Sequence, residues 1–138
     1  MLPPLPLVAD VMRPVPHLVP AETPASEVAA YMHTERQRHV FVSDGDGHIA
    51  GLVNRARLLR HLVARRLADN LTPDLPIGEL VVTDLIVIGE KASVADALCT
   101  MRRHHVGCLP VLDDAGRLVG LVSERLLLGA AEAVLHGH

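Results

Sequence analysis

The sequence predicts an α+β fold of two gapless β-α-β-β-α repeats, and three observations lead to this prediction. The chain repeats itself at a spacing of 69 residues, which sets Met32 against Met101 without an insertion. Within each repeat, apolar residues recur at helical spacing in two stretches, with short strand-like runs between them. The length of 138 residues suits one compact domain, so we expect both repeats to form one globular module. The identical pairs include Val42/Val111, Asp44/Asp113, Gly47/Gly116 and Gly51–Val53/Gly120–Val122.

Composition excludes several classes of protein. Hydrophobic residues make up 49% of the chain and aromatic residues 1%, and the net charge is −3. Proteins that hold single-stranded nucleic acid rely on aromatic stacking and positive charge, so we expect no nucleic-acid partner. The sequence contains no run of roughly 18 apolar residues and no recognisable secretory signal, which predicts a cytoplasmic protein without a membrane partner. In a reducing compartment, Cys99 and Cys108 are expected to be small core residues.

Repeat 1 (8–69) begins with a predicted helical turn around Val8–Met12. An amphipathic helix is predicted over Pro24–Gln37, because the Thr23 hydroxyl can cap a helix and proline suits its first position. The strands His39–Ser43 and His48–Val53 follow, joined by a glycine-rich turn. The apolar face of the helix consists of Ala25, Val28, Ala29 and Met32.

The second helix of repeat 1 is predicted to begin after Asn54, whose side chain can accept a hydrogen bond from an exposed N–H group. Its apolar stripe consists of Leu58, Leu59, Leu62, Val63 and Leu67, and its remaining surface is rich in arginine. Two prolines in residues 70–76 predict a linker between the repeats.

Repeat 2 (77–135) predicts the same order of elements. Ser93, followed three residues later by Asp96, is typical of a helix start, and Ser123 is placed to cap the final helix. The predicted elements are a turn at Ile77–Leu80, strands at Leu85–Ile88, Cys108–Leu112 and Arg117–Val122, and a last helix to about Leu135.

The ordered pieces resemble the cystathionine-β-synthase (CBS) domain, whose tandem pair is called a Bateman module. The matching pieces are Ala9–Met12, Gly107–Asp113 and Gly116–Ser123, and the resemblance covers roughly Val8 to Ala131. It implies a pseudo-symmetric CBS pair that binds adenine nucleotides or related adenosyl ligands in clefts between the repeats. Many such pairs form dimers.

The resemblance also implies where a ligand would bind. Nucleotide-binding members carry, after the last strand, glycine, two apolar residues, serine or threonine, two variable residues and an aspartate that meets the ribose. This chain has Asn54 and Arg57 at the hydroxyl and aspartate positions of repeat 1, and Ser123 and Leu126 at those of repeat 2. Arginines suit a more anionic ligand, or are ordinary solvated helix charges. The candidate ligand-binding residues are Ser123, Thr83, Asn54, Arg55, Arg57 and Arg125.

The sequence predicts no catalytic residues, no metal site and no required cofactor. The nine histidines lack zinc-ligand spacing, and the ending His136–His138 suits only opportunistic metal binding. Aspartates such as Asp44 and Asp113 lie in predicted hairpin turns, where backbone geometry accounts for them. The expected function is that of a regulatory module that senses AMP, ADP, ATP or another adenosyl compound. Ligand binding is expected to act on an unidentified effector protein or to change the oligomeric state of the module.

A ligand-free dimeric scaffold is the alternative. The last predicted helix carries more apolar surface than one stripe requires, which is consistent with burial in a homodimer interface. The apolar residues concerned are Leu126, Leu127, Leu128, Ala130, Ala131, Val134 and Leu135.

Overall fold

The computed structural model describes residues 4–15 and 18–136, which form two three-stranded sheets and five helices. Each sheet has a parallel first pair and an antiparallel hairpin, in the orders β1-β2-β3 and β4-β5-β6. This order confirms the predicted pair of β-α-β-β-α repeats. The helices are α1 (Val8–Val11), α2 (Ala25–Thr34), α3 (Arg55–Leu67), α4 (Val94–His104) and α5 (Glu124–Leu135). The strands are β1 (Leu18–Pro20), β2 (His39–Ser43), β3 (Ile49–Asn54), β4 (Ile88–Gly89), β5 (Cys108–Leu112) and β6 (Leu118–Ser123).

The chain divides into two compact units, one of residues 17–85 and one of residues 1–16 with 86–138. Each unit contains the sheet and two helices of one repeat together with the leading segment of the other repeat. We use leading segment for residues 4–13, which lead into repeat 1, and for residues 73–82, which lead into repeat 2. The compact units therefore do not follow the sequence order of the repeats.

Each leading segment pairs with the last strand of its unit's sheet. In unit 17–85, Val82 and Leu52 exchange backbone hydrogen bonds of 2.8 and 3.0 Å. In the other unit, Arg13 and Leu121 exchange bonds of 2.9 and 2.8 Å. Both pairs occupy equivalent positions of the duplication, and each supplies partners to backbone groups on the edge of a sheet.

The leading segments also complete the two cores. Ile77, in a 3₁₀ turn (Ile77–Leu80), is fully buried among the core residues of unit 17–85, and Val8 of α1 is fully buried in the other. Full burial of such a side chain contributes about 1.5–3 kcal/mol to folding. The buried cores consist of Val19, Ala25, Val28, Met32, Val40, Val42, Val53, Leu58 and Ile77, and of Val8, Val94, Ala97, Met101, Leu109, Val111, Val122 and Leu127.

The beginning of α2 differs from its prediction. The predicted Thr23 cap is wrong, because the residue before the first helical turn is Pro24 and no side chain caps it from that position. The Asp74 carboxylate, from the predicted linker, instead accepts hydrogen bonds from the Ser26 backbone N–H at 3.2 Å and from the Ser26 hydroxyl. A negative charge is favourable at a helix N-terminus, so the linker stabilises the start of α2.

Three further expectations are corrected. Helix α2 ends at Thr34 rather than Gln37, because Arg36 adopts a positive φ of 53°. The first strand of repeat 2 is Ile88–Gly89, since its pairing with β5 covers only those two residues. Cys99 and Cys108 are exposed rather than buried, and both are free thiols.

No helix of the described residues combines the length and apolar character needed to cross a membrane.

We expect acid to destabilise the wild type more than the Asp74→Asn variant. The hydrogen bond from the Ser26 hydroxyl lowers the pKa of Asp74. A carboxylate with a depressed folded-state pKa stabilises the fold above its unfolded pKa, and this stabilisation is lost as pH falls through the folded value. Melting temperatures measured from neutral pH to below about 4 should fall less steeply for the variant. Parallel curves would contradict the role of Asp74.

We expect Gly51→Ala to lower the free energy of unfolding by about 1–3 kcal/mol, because overpacking forces neighbouring atoms apart. A Cβ at this position would lie 2.6 Å from Val81 Cβ and 2.7 Å from the Val82 carbonyl oxygen. Gly89→Ala is the matched control, since a Cβ on that glycine would meet no neighbouring group within 4 Å. Chemical denaturation measures both variants, and equal stabilities would show that the leading segment does not need the glycine.

Candidate functional site

The six candidate residues fall into two groups, one in each compact unit. Asn54, Arg55, Arg57 and Thr83 belong to unit 17–85, whereas Ser123 and Arg125 belong to the unit that contains residues 86–138. Thr83 is therefore grouped with the candidates of repeat 1, although it comes from repeat 2. In the unit of Ser123, the position equivalent to Thr83 is Pro14, which has no hydroxyl group.

Asn54 links the end of β3 to the start of α3. Its side-chain oxygen accepts a hydrogen bond from the Arg57 backbone N–H at 2.8 Å, as a helix-capping asparagine should. The Arg55 backbone N–H donates to the Arg38 carbonyl at 2.9 Å, which fixes the residue before β2 against the beginning of α3. The predicted cap is confirmed, and the structure adds Arg38 to the surroundings of the site.

Three arginines therefore lie near the N-terminus of α3. Arg38, Arg55 and Arg57 are all exposed, and none of them forms an ion pair within residues 4–15 and 18–136. The first turn of α3 contains no acidic residue. Arg55 and Arg57 are two positions apart on α3 and therefore do not share a face, while the positive end of the helix dipole favours an anion at this end of α3.

Thr83 lies directly after the pairing of Val82 with Leu52, on the same chain segment that crosses the edge of β3. Its side chain is exposed. The bridge between Val82 and Leu52 is isolated, and Leu52 is two residues before Asn54. This bridge therefore places Thr83 beside the edge of β3.

The other unit repeats this local geometry with different charges. The Ser123 hydroxyl accepts a hydrogen bond from the Leu126 backbone N–H at 3.2 Å, and the Glu124 backbone N–H donates to the Gly107 carbonyl at 3.0 Å. Arg125 is exposed. Gly107, Glu124 and Leu126 occupy the positions of Arg38, Arg55 and Arg57, so this helix start lacks all three of those arginines and carries only Arg125.

The structure reveals two neighbours that the sequence reasoning missed. In the antiparallel register His39 lies opposite Asn54, and Cys108 lies opposite Ser123. Directly opposed residues project from the same face of a sheet, so each pair shares a face at the start of a helix. The repeat spacing could have revealed that His39 and Cys108 are equivalent, but only the strand register shows what they oppose.

The Cys108 thiol has a higher pKa than an ordinary cysteine. Desolvation by the surrounding protein raises the pKa of Cys108, although the residue as a whole counts as exposed. A thiol with a raised pKa is largely protonated at neutral pH and is a poor nucleophile. This does not favour a catalytic role for Cys108 beside Ser123.

The turn aspartates have backbone roles, as predicted. Asp44 Oδ1 accepts a hydrogen bond from the Asp46 N–H at 3.1 Å, and Asp113 Oδ1 accepts from the Ala115 and Arg117 N–H groups at 2.9 Å each. The backbone hydrogen bond from Arg117 lowers the pKa of Asp113. Such bonds stabilise tight turns. Among the described residues, no group of three or more histidine, cysteine, aspartate or glutamate side chains is arranged to hold a metal ion.

Comparisons with known proteins agree with this architecture. Residues 8–64 and 77–133 match the family described as the CBS domain. The structure is similar to AcuB from Vibrio cholerae, with a TM-score of 0.75 and 25% identity over 96% of this chain and 94% of that chain. It is also similar to CBSX2 in complex with AMP, with a TM-score of 0.74 and 21% identity over 94% of this chain and 98% of that chain.

Among curated proteins, an uncharacterized protein of Methanocaldococcus jannaschii is 27% identical over 108 residues, which are 78% of this chain and 25% of the relative. The chain spans about a quarter to a third of the length of the curated relatives it matches.

We expect Asn54→Ala and Ser123→Ala each to lower the free energy of unfolding by about 1 kcal/mol, because each removes a helix-capping oxygen. Asn54→Asp and Ser123→Thr retain an acceptor and serve as matched controls, which should lose much less stability. Urea denaturation followed by circular dichroism measures all four variants. Alanine variants as stable as their controls would contradict the capping role.

Proposed function

Because this chain belongs to the CBS domain family, we propose that it is a non-catalytic regulatory module that senses an adenosyl nucleotide or a related anionic ligand. The observation that carries the proposal is the N-terminus of α3, which carries the exposed Arg55 and Arg57, has no acidic residue in its first turn and contacts the Arg38 carbonyl. Helix N-termini favour phosphate groups, and guanidinium groups match phosphate oxygens in a two-pronged geometry. The complex of the similar protein CBSX2 with AMP supports an adenosyl ligand.

The charges indicate how the two groups of candidates differ. Around Asn54, three arginines without ion pairs in the described chain favour a ligand with several negative charges. Around Ser123, Glu124 stands where Arg55 stands in repeat 1, so this helix start suits a less anionic ligand. We propose that the cluster around Asn54 with Thr83 binds the phosphates, and that Ser123 with Arg125 forms the second, weaker site.

The substitutions at the ribose-binding position indicate how such a ligand is held. Arg57 and Leu126 stand where nucleotide-binding relatives carry aspartate, and neither can accept a hydrogen bond from a ribose hydroxyl. Loss of such a bond weakens binding by about 1–3 kcal/mol, or roughly ten- to hundredfold. We therefore propose that the phosphates contribute more to affinity than the ribose, which predicts the order ATP, ADP, AMP.

Family membership also supports a proposal for the biological setting. We propose a cytoplasmic homodimer in which ligand binding changes the oligomeric state or the contact with a separate effector protein. No tightly held cofactor is part of this proposal, and neither nucleic acid nor a membrane is a proposed partner.

A ligand-free dimeric scaffold remains the second candidate function, and one observation favours it. Helix α3 exposes Leu59, Val63 and Leu67, whose exposed fractions are 42%, 56% and 82%. Exposed apolar side chains at successive turns are typical of an interface between subunits. This function would use the helical surface alone and would not require the arginines near Asn54.

We expect ATP to raise the melting temperature more than ADP, and ADP more than AMP, because a ligand that binds only the folded state stabilises it. Arg57→Ala should reduce the ATP-induced shift by most of its value. Arg66→Ala is the matched control, since it removes an exposed arginine from the other end of α3 and should leave the shift unchanged. Thermal-shift titrations of each variant against its own ligand-free baseline measure the effect.

Either of two results would contradict this proposal. Equal shifts in the Arg57→Ala and Arg66→Ala variants would show that the arginine cluster does not bind the phosphates. No shift with any adenosyl compound, for a folded protein, would favour the ligand-free scaffold instead.

A further inference from the structure

We infer that the surface covered by the leading segment 4–13 is a docking groove for an extended segment of an effector protein. This groove runs along residues 90–94 and β6. Residues 4–13 then act as a strap, which leaves the groove when the effector segment enters. The inference rests on the proposed contact with a separate effector protein and names the surface that makes it.

The strap is held in the groove by main-chain hydrogen bonds. Every residue except proline has the same main-chain groups, so a different extended segment can make the same bonds. Many proteins bind an extended partner in this way and select it through a few side-chain contacts. The bonds run from the Val8 N–H to the Ala92 carbonyl at 2.8 Å, from the Ala9 N–H to the Glu90 carbonyl at 2.9 Å, from the Val94 N–H to the Pro6 carbonyl at 3.0 Å, and in both directions between Arg13 and Leu121.

Val8 makes the side-chain contact that an effector segment must reproduce. It is fully buried in the core of its unit, whereas its neighbours Ala9 and Asp10 are exposed. The groove is narrow at Gly120, where a Cβ would lie 2.9 Å from the Arg13 carbonyl oxygen. The partner that fits is therefore an extended segment with a valine-sized apolar residue at the buried position, and without proline where the strap donates N–H groups.

The two leading segments differ in the side chains that hold them. The segment of repeat 2 makes equivalent main-chain bonds, and its Asp74 carboxylate also accepts two hydrogen bonds from Ser26. The equivalent positions for the strap are Leu5 and Ala95, whose side chains contain no polar atom. Hydrogen bonds to a charged group are stronger than those between neutral groups, so the strap lacks a tie that its counterpart has. The strap is therefore the leading segment that opens more readily.

The groove adjoins the second proposed ligand site. Arg13 of the strap pairs with Leu121, which lies two residues before Ser123 on β6. An effector segment that replaces the strap therefore replaces the segment that pairs with β6 near Ser123. A ligand at Ser123 that binds better with one occupant of the groove than with the other would favour that occupant.

Hydrogen exchange compares the two leading segments within one molecule. We expect the strap amides to exchange at least tenfold faster than their counterparts, after correction for intrinsic rates, because the strap opens more readily. Asp74→Asn should reduce this difference, since it removes the charge from the tie on the other segment. Equal exchange rates in the wild type would overturn the inference. The amides to compare are Val8 with Ile77, Ala9 with Gly78, and Arg13 with Val82.

Peptide binding tests the groove directly and requires no nucleotide. The probe is a fluorescein-labelled peptide with the sequence of residues 4–13, and its anisotropy is measured with the full chain. In the wild type the strap competes with the peptide, so the apparent affinity is reduced by the fraction of molecules with an open groove. Ala9→Pro in the full chain removes one hydrogen bond of the strap and should raise the affinity for the peptide at least tenfold.

A second variant and two controls accompany this measurement. Val8→Ala in the full chain weakens the strap by shortening its buried side chain, and should also raise the affinity for the peptide. Glu79→Ala changes an exposed residue of the other leading segment and should leave the affinity at its wild-type value. A peptide that carries Val8→Asp should not bind. Circular dichroism checks that each protein is folded.

The outcomes separate this inference from the proposed ligand. Peptide binding without any response to adenosyl compounds would support the groove and contradict the ligand. No peptide binding to the wild type or to either folded strap variant would overturn the groove. A wild-type dimer that the peptide converts to monomers would identify a second copy as the source of the segment, and would overturn the effector.

Discussion

The two folded units depend on one backbone interaction, the antiparallel pairing of each leading segment with the last strand of a sheet. Val82 pairs with Leu52, and Arg13 pairs with Leu121. Each pairing requires a glycine beside it, because a Cβ at Gly51 or Gly120 would lie within 3 Å of the crossing segment. The same segments then bury Ile77 and Val8 in the cores. Neither repeat completes its own core. Each core requires a side chain from the segment that leads into the other repeat, so both halves of the sequence are needed to complete both cores.

The leading segments also set the starts of the first helices. In unit 17–85 the Ala25 backbone N–H donates to the Leu75 carbonyl at 2.9 Å, and in the other unit the Val94 N–H donates to the Pro6 carbonyl at 3.0 Å. These bonds occupy equivalent positions of the duplication. They satisfy N–H groups that a helix start leaves without an intrahelical partner. One chain segment therefore closes a sheet edge, fills a core and completes a helix start.

Much of this architecture was predictable from local sequence patterns. The duplication, the helix starts after Asn54 and Ser123, and the bounds of β2 and β5 all depend on spacing and capping, which act within a few residues. The α2 start was not predictable in this way, because its acidic partner Asp74 lies 48 residues away in the chain. The exposure of Cys99 and Cys108 was missed for a related reason, since apolar periodicity does not reveal which positions a neighbouring element covers. The opposition of His39 to Asn54 depends on strand register, which sequence alone leaves open.

The two repeats are alike at buried positions and differ in charge at the helix starts. Positions that fill the cores keep their character, as Met32 and Met101 do, because close packing tolerates little change in volume. Charged positions around the helix starts have changed, so that Arg55 and Arg57 correspond to Glu124 and Leu126. Solvated side chains are under no such packing constraint, and their charges can change without harm to the fold. The helix starts where a ligand would bind are therefore among the positions at which the two repeats differ. Identical repeats would offer two equivalent helix starts, whereas these repeats present a basic helix start at α3 and one of mixed charge at α5.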